Sequence, residues 1–345
     1  MAALAPSPTD DRVGSRPISA TLLSRPEIGA LLGAIIIAVI FLASAPAFRS
    51  VDNIGTILYG SSTIGLMAVP VALLMIGGEF DLSAGVAVTT SGLAAALLAW
   101  NFGLNVWVGV GLALVISLAI GAFNGWLLHA TGLPSFLVSL GSFFVLQGVN
   151  LAVTRIVTGG VSSNTISDMQ GWNSAKAVFA SSLKVGPVDL NITILYWVLL
   201  TALGAYLLLR TRVGNWIFAA GGDAAAARAV GVPVTLTKIG LFMGVGFGAW
   251  ITGMHMLFNF NNVQSGAGVG NEFIYIIAAV IGGCLLSGGY GSVVGASLGA
   301  LIFGMTQLGI SYAGWNPDWF KTFLGAMLLF ACVANVYVKK KADQR

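Results

Sequence analysis

Residues 54–76 read IGTILYGSSTIGLMAVPVALLMI, and residues 77–85, which follow, read GGEFDLSAG. The first stretch has no charged side chain, and a membrane-crossing helix needs about 20 mostly apolar residues. A glycine pair and two carboxylates interrupt it, and a second apolar run opens at Ala84. Apolar runs separated by short polar breaks recur along the chain. They predict spans near 28–45, 54–76, 84–100, 104–128, 134–157, 191–210, 239–258, 273–286, 293–311 and 320–338. The expected fold is all-α, a polytopic membrane helical bundle with about ten transmembrane helices. The third run is marginal and the eighth is short, so eight or nine spans also fit.

Composition agrees. Charged residues make up 8% of the 345 positions, against about 25% in an ordinary soluble domain. Hydrophobic residues make up 57%, and the mean hydropathy is +0.91. A water-soluble core of this length could not hide that much apolar surface, so the lipid bilayer must solvate much of it. The 46 glycines would weaken helices in water, but between membrane helices they let backbones approach closely. The net charge of +4 does not point to nucleic acid, because the basic residues sit at the ends of apolar runs, where they set orientation. Cys284 and Cys332 lie in apolar stretches without metal-ligand spacing and read as small buried hydrophobes.

Residues 1–27 are polar and include Arg12, Arg16 and Arg25, which suits a cytoplasmic N-terminal tail. Ala43-Ser44-Ala45 looks like a signal cleavage site, but Pro46 follows it and the run from Ile28 is long for a signal. An uncleaved first span is expected, opening a membrane domain over 28–338 that ends in a basic tail, 339–345.

Ten spans with both termini inside place eleven basic residues in the cytoplasm: Arg12, Arg16, Arg25, Arg210, Arg212, Arg228, Lys238, Lys339, Lys340, Lys341 and Arg345. Five fall outside: Arg49, Arg155, Lys176, Lys184 and Lys321. That bias assigns both termini and the 211–238 loop to the cytoplasm and the longest polar loop, 158–190, to the outside. In the inner loop, Asp223 can cap a helix, the alanines after it propagate that helix to Val230, and Gly231 ends it. A short helix on the inner membrane surface is expected there.

Glycines recur every four residues at Gly240, Gly244 and Gly248, and again at Gly291, Gly295 and Gly299. Either stripe can be a sliding contact or ordinary close packing. A short echo links Ile76-Gly77-Gly78 with Ile281-Gly282-Gly283, each at a break before a small-residue helix.

The chain lacks the equipment of an enzyme. His129 and His255 stand apart, and there is no His-Glu-x-x-His, Cys-x-x-Cys or phosphate-binding Gly-x-x-x-x-Gly-Lys-Ser/Thr motif. No catalytic residue, metal site or cofactor is therefore expected in this chain, and any ATP hydrolysis must come from another. Glu79 and Asp81 form a close carboxylate pair within the apolar body. They read either as a pathway, gate or proton-relay pair, or as a solvated turn in which Asp81 caps the next helix. Asn124, Gln147, Asn150, His255 and Gln307 lie at membrane depth and can bind hydroxyls or hold helices together. Phe143 and Phe144 lie about one turn before Gln147 and Asn150, an aromatic face that would suit a sugar. The candidate substrate pathway is Glu79, Asp81, Phe143, Gln147, Asn150 and Gln307.

Several stretches resemble one family, the ribose-type permeases of bacterial ABC importers, within the branched-chain amino acid and sugar permeases. Residues Gly77 to Gly85 resemble its GG-x-DLS-x-G element with one residue more before the aspartate. Gly132-Leu133-Pro134-Ser135-Phe136-Leu137 through Gly141 resembles its Pro-x-Phe-Ile-x-Thr-Leu-Gly element. Thr211-Arg212-Val213-Gly214, with Ala219 to Arg228 and Gly231-Val232, resembles its cytoplasmic loop. Ile277 to Gly283, with Gly288-Gly289-Tyr290-Gly291-Ser292, resembles its late glycine-rich element. The likeness runs in order over about residues 25–340. Tyr290 stands where an arginine is common, and Asn271-Glu272-Phe273 departs from the usual end of the outer loop, so the particular substrate stays open.

The resemblance implies a type II-like importer permease fold and import of a small sugar or polyol (ribose, fructose or inositol-like). It implies a second, identical or different permease subunit, a cytoplasmic ATPase subunit that holds ATP and Mg, and a periplasmic sugar-binding protein, all at the bacterial inner membrane. It also implies that Gly221, Gly222, Asp223, Ala226, Arg228 and Gly231 form the segment that couples to the ATPase. Two other classes remain: a proton-coupled secondary transporter using Glu79 and Asp81, and a non-transport membrane scaffold.

Overall fold

A computed structural model describes residues 26–343, with side chains over 27–333. The N-terminal tail with Arg12, Arg16 and Arg25, the side chains of Lys339, Lys340 and Lys341, and Arg345 lie outside the described residues.

The helices are α1 (Pro26–Ser44), α2 (Asp52–Ile76), α3 (Ala84–Asn101), α4 (Val106–Thr131) and α5 (Ser135–Thr158). A short helix α6 (Trp172–Phe179) and a two-stranded hairpin, β1 (Ser182–Val185) and β2 (Val188–Asn191), follow. Then come α7 (Ile192–Arg210), α8 (Arg212–Gly222), α9 (Ala224–Ala229), α10 (Val234–Phe260), α11 (Asn271–Ile281), α12 (Val293–Tyr312) and α13 (Trp319–Asp343). Among the described residues, eight helices are long and apolar enough to cross a bilayer; α11 and the apolar part of α13 are the shorter two. The sequence predicts about ten transmembrane helices; all ten apolar segments are helical, but two of them fall short of a full span. The span expected at 273–286 is the main departure. Its helix stops at Ile281, and its 11 residues rise only about 16 Å, about half of a bilayer core.

Helix α2 is the axle of the bundle and packs against α12, α7, α10 and α11. Small residues on α2 or on its partners let these helices close in. The Trp197 indole of α7 lies over Gly65, and Gly304 of α12 rests on Ser61, at distances where a Cβ on either glycine would overlap its neighbour. Several hydroxyls at membrane depth are satisfied within their own helices. Ser61 donates to the Ile57 carbonyl (2.7 Å), Thr154 to Asn150 (2.6 Å) and Thr306 to Ile302 (2.8 Å). Helices α1, α5 and α7 are peripheral and turn apolar side chains such as Ile36, Phe144 and Leu203 outward, as lipid contact requires.

The 158–190 segment is a folded cap at one end of α2, not an open loop. Phe179 of α6 stacks on Phe258 and meets Trp250 edge-on, both on α10. His255 Nδ1 lies 2.8 Å from the Phe179 carbonyl, which can only accept, so Nδ1 carries the proton. The Tyr59 hydroxyl lies 3.0 Å from Nε2, and Asn259 Nδ2 donates to the Tyr59 oxygen (3.4 Å). The hairpin closes on Gly186-Pro187, and β2 lies against Gly55 at the start of α2.

The inner loop at the opposite end is mostly helical. Helix α7 passes into α8 across Thr211, and α10 starts at Val234, five residues before the expected span at 239.

The two glycine stripes behave differently. Gly295 and Gly299 press on the Gly282 and Ala278 carbonyls of α11, whereas Gly240 and Gly244 meet open space and only Gly248 packs, against Pro70 and Leu66. The echo of Gly77-Gly78 and Gly282-Gly283 also has a local cause. Gly78 N–H donates to Met75 and Glu79 N–H to Leu74; Gly283 N–H donates to Val280 and Cys284 N–H to Ala279. The same helix ending recurs at Gly103 and at Gly314, so it is a shared way of stopping a helix.

Candidate functional site

Two non-helical stretches enter the bundle. Residues 77–83 leave the end of α2 and run inward before α3 starts. The Phe80 N–H donates to Ser135 Oγ at the first residue of α5 (3.0 Å), while Ser83 reaches Asn124, seven residues before the end of α4. Seven residues are about 10 Å of helix rise, so α3 begins well inside the bundle. From the other end, residues 261–270 descend along α3 until Gly268 lies against Gly85, where α11 begins. The N-termini of α3 and α11 therefore meet in the interior, and each has its own carboxylate. Asp81 (3% exposed) precedes α3, and Glu272 (2% exposed) is in the first turn of α11.

Asp81 ends a directed hydrogen-bond chain. Ser142 Oγ donates to Asn124 Oδ1 (2.6 Å), Asn124 Nδ2 donates to Ser83 Oγ (3.1 Å), and Ser83 Oγ donates to Asp81 Oδ1 (2.5 Å). The Ser83 N–H makes a second bond to that same Asp81 oxygen (2.8 Å). Every proton points toward the carboxylate, so the buried amide and hydroxyls are satisfied in one register. Glu272 is different: both of its oxygens lie 3.1 Å from the Gly270 N–H. The neighbouring Thr89 hydroxyl, fully buried against Gly268, has no partner among the described residues.

The second candidate region is the turn-and-helix unit at the α8–α9 end. Asp223 accepts from the N–H groups of Ala225 (2.8 Å) and Ala226 (3.0 Å) and so caps α9. These two bonds, first from Ala226 and then from Ala225, hold its carboxyl below the usual carboxylate range. Gly231 adopts φ +87°, which turns the chain out of α9. Ala225, Ala226 and Arg228 are exposed, while Ala227 is buried against Val234 and Ala220. Gly221 is tightly packed and Gly222 is exposed.

The structure separates the sequence-predicted pathway residues. Glu79 pairs with Lys238 of α10, not with Asp81. Phe143 and Phe144 form an edge-to-face pair on α5 (centroids 5.2 Å apart), with Phe144 turned outward. Gln147 is half-buried, and Asn150, buried against α3, reaches the Val86 carbonyl at 3.5 Å. Gln307 is exposed on α12, whose neighbours are α1, α2, α7, α11 and α13, whereas α5 packs on α3 and α4. Ser142, the pairing of Asn124, Glu272 and Lys238 were not predicted as parts of the site. Nothing in the sequence set Lys238 apart from the other basic residues at the ends of apolar runs.

A bundle with a central helix, two interior helix starts and a capped helix at one end defines a polytopic permease-type membrane protein. Residues 53–332 match the family described as the permease component of branched-chain amino acid transport systems, and the chain belongs to that family. It is similar to the inner membrane ABC transporter permease protein YjfF of Escherichia coli K12, with 31% identity over 85% of this chain and 86% of the relative. It is also similar to the ribose import permease protein RbsC of the same organism, with 31% identity over 90% of this chain and 93% of the relative. The fructose import permease protein FrcC of Rhizobium meliloti is 27% identical over 86% of this chain and 81% of its own length. No solved structure matches the chain.

Proposed function

We propose that this chain is the membrane-spanning permease subunit of an ATP-driven importer for a small sugar or polyol at the bacterial inner membrane. ATP and Mg bind a separate cytoplasmic ATPase chain, a periplasmic binding protein delivers the substrate, and a second permease subunit completes the pathway. Both termini and the α8–α9 unit face the cytoplasm. The observation that carries this reading is α9, a short capped helix with a shallow, exposed alanine surface and one exposed arginine. Arg228 presents a planar fork of donors to a carboxylate or carbonyl of the ATPase. The distribution of basic residues and the sugar-named relatives support the direction and the substrate class. Transport proceeds by a shift between two states, because ATP binds one of them better.

The test is purification of the chain with its neighbouring subunits. The wild type should bring down an ATPase whose activity rises with loaded binding protein. Ala226→Asp and Arg228→Glu should insert normally but lose the ATPase, whereas Ala226→Ser should keep it. Uptake that survives without any ATPase and collapses with the proton gradient would instead favour the proton-coupled reading built on Glu79 and Asp81.

A further inference from the structure

Three glycine pairs from distant parts of the chain meet at the α8–α9 end of the bundle. Gly77-Gly78 ends α2, Gly221-Gly222 ends α8, and Gly288-Gly289 lies in the turn between α11 and α12. The Gly289 N–H donates to the Ile76 carbonyl (2.8 Å), one of the carbonyls left unpaired at the end of α2. Gly221 rests on that same carbonyl, where a Cβ would overlap the oxygen. A Cβ on Gly288 would lie 2.6 Å from Gly78 Cα, and one on Gly289 would lie 2.8 Å from Gly222 Cα. Gly78, Gly288 and Gly289 have φ of +86°, +76° and +72°, so they need glycine for conformation as well as space. Gly221 is helical and needs it for space alone.

We propose that this backbone-to-backbone knot is a transmission joint and that its glycines are positioning residues for transport; the inference rests on the coupling role given to α9. Helix α8 ends at Gly222 and Asp223 caps α9 at once, so no slack separates the docking helix from the joint. A displacement of α9 acts through Gly221 on the end of α2. Residues 77–83 then carry it to Asp81 and the start of α3. Through Gly289 it reaches the turn that joins α11 to α12. With no side chains between the segments there is little to flex, so one input moves both breaks together.

Alanine substitutions provide the test. Gly221→Ala adds a methyl against the Ile76 carbonyl. Gly240→Ala, on α10 and outside the coupling segment, adds the same methyl where nothing lies within 4 Å. In the purified complex, stimulation is read per ATPase subunit retained and against each variant's own basal hydrolysis, with Gly221→Ala as the variant at the joint. Gly221→Ala should lose roughly tenfold in stimulation by loaded binding protein, within the range usual for coupling between sites. Gly240→Ala should behave as wild type. Equal stimulation in both variants would overturn the joint. Should Gly221→Ala fail to accumulate, hydrogen exchange on the wild-type complex decides. Trapping with MgATP and vanadate should change protection at 77–82 and 285–290 together with 219–230. A change confined to 219–230 would overturn the proposal. Failure to recover any ATPase would instead refute the coupling role of α9 itself, leaving the two outcomes distinct.

Discussion

Lys238, one turn into α10, forms an ion pair with Glu79 in the break after α2, so a positive charge that could have faced the lipid headgroups is turned into the protein. The pair ties the entry of α10 to the stretch that runs up to Asp81. Both side chains keep slight contact with solvent, at 18% and 10% exposure, which tempers the penalty of burying two charges and the strength of their attraction.

A double-mutant cycle measures that tie. Glu79→Gln and Lys238→Met should each lower the melting temperature of the purified protein, and the double variant should lose less than the two combined. The expected coupling is toward the lower end of about 0.5–3 kcal/mol. Strict additivity would show that the two groups do not interact in the membrane.

The Asp81 chain makes a contrast between two substitutions. Asn124→Leu removes the acceptor of Ser142 and a donor to Ser83, which keeps Asp81, and should cost about 1–3 kcal/mol of stability. Asp81→Asn keeps an acceptor for Ser83 and should cost less. Detergent melting curves for the two variants should therefore rank Asn124→Leu as the less stable, and the reverse order would refute the network as drawn.

Orientation can be read with single cysteines at exposed positions. Lys184→Cys, on β1, should react with an impermeant thiol reagent added to intact spheroplasts, and Ala225→Cys, on α9, should not. Ser163 is a poor reporter, since it is buried and exchanges hydrogen bonds with Val263. Labelling of Ala225→Cys from outside would invert the topology.

The cap on α9 sets a pH expectation. A carboxyl held below its usual range adds stability that is present above the unfolded value and lost only as pH falls through the lower folded value. ATPase association should thus be flat from about pH 5 to pH 8 as far as Asp223 is concerned. Asp223→Ala should weaken association at every pH in that window, and Asp223→Asn should weaken it less, because its amide oxygen can still accept. A loss near neutral pH that vanishes in Asp223→Asn would contradict the cap geometry.

The membrane class, the helices and the α9 cap were legible in the residues themselves, because each rests on short-range physics. An apolar run of sufficient length must span, and an aspartate before four alanines and a following glycine bound a helix within one turn. The short α11 was harder to read, since apolar residues continue past Ile281 and the stop is made by Gly283 in a left-handed conformation. Composition could place polar groups at membrane depth without assigning partners to them. Glu79 faces Lys238 across 159 positions, and Asn124 joins Ser83 to Ser142, while Gln307 turns away on another helix. Those pairings depend on how helices rotate and cross, which is decided when glycine surfaces such as Gly65, Gly295 and Gly304 settle against their neighbours. The sequence alone determined which segments enter the membrane, and only tertiary packing decided which buried charges and amides meet there.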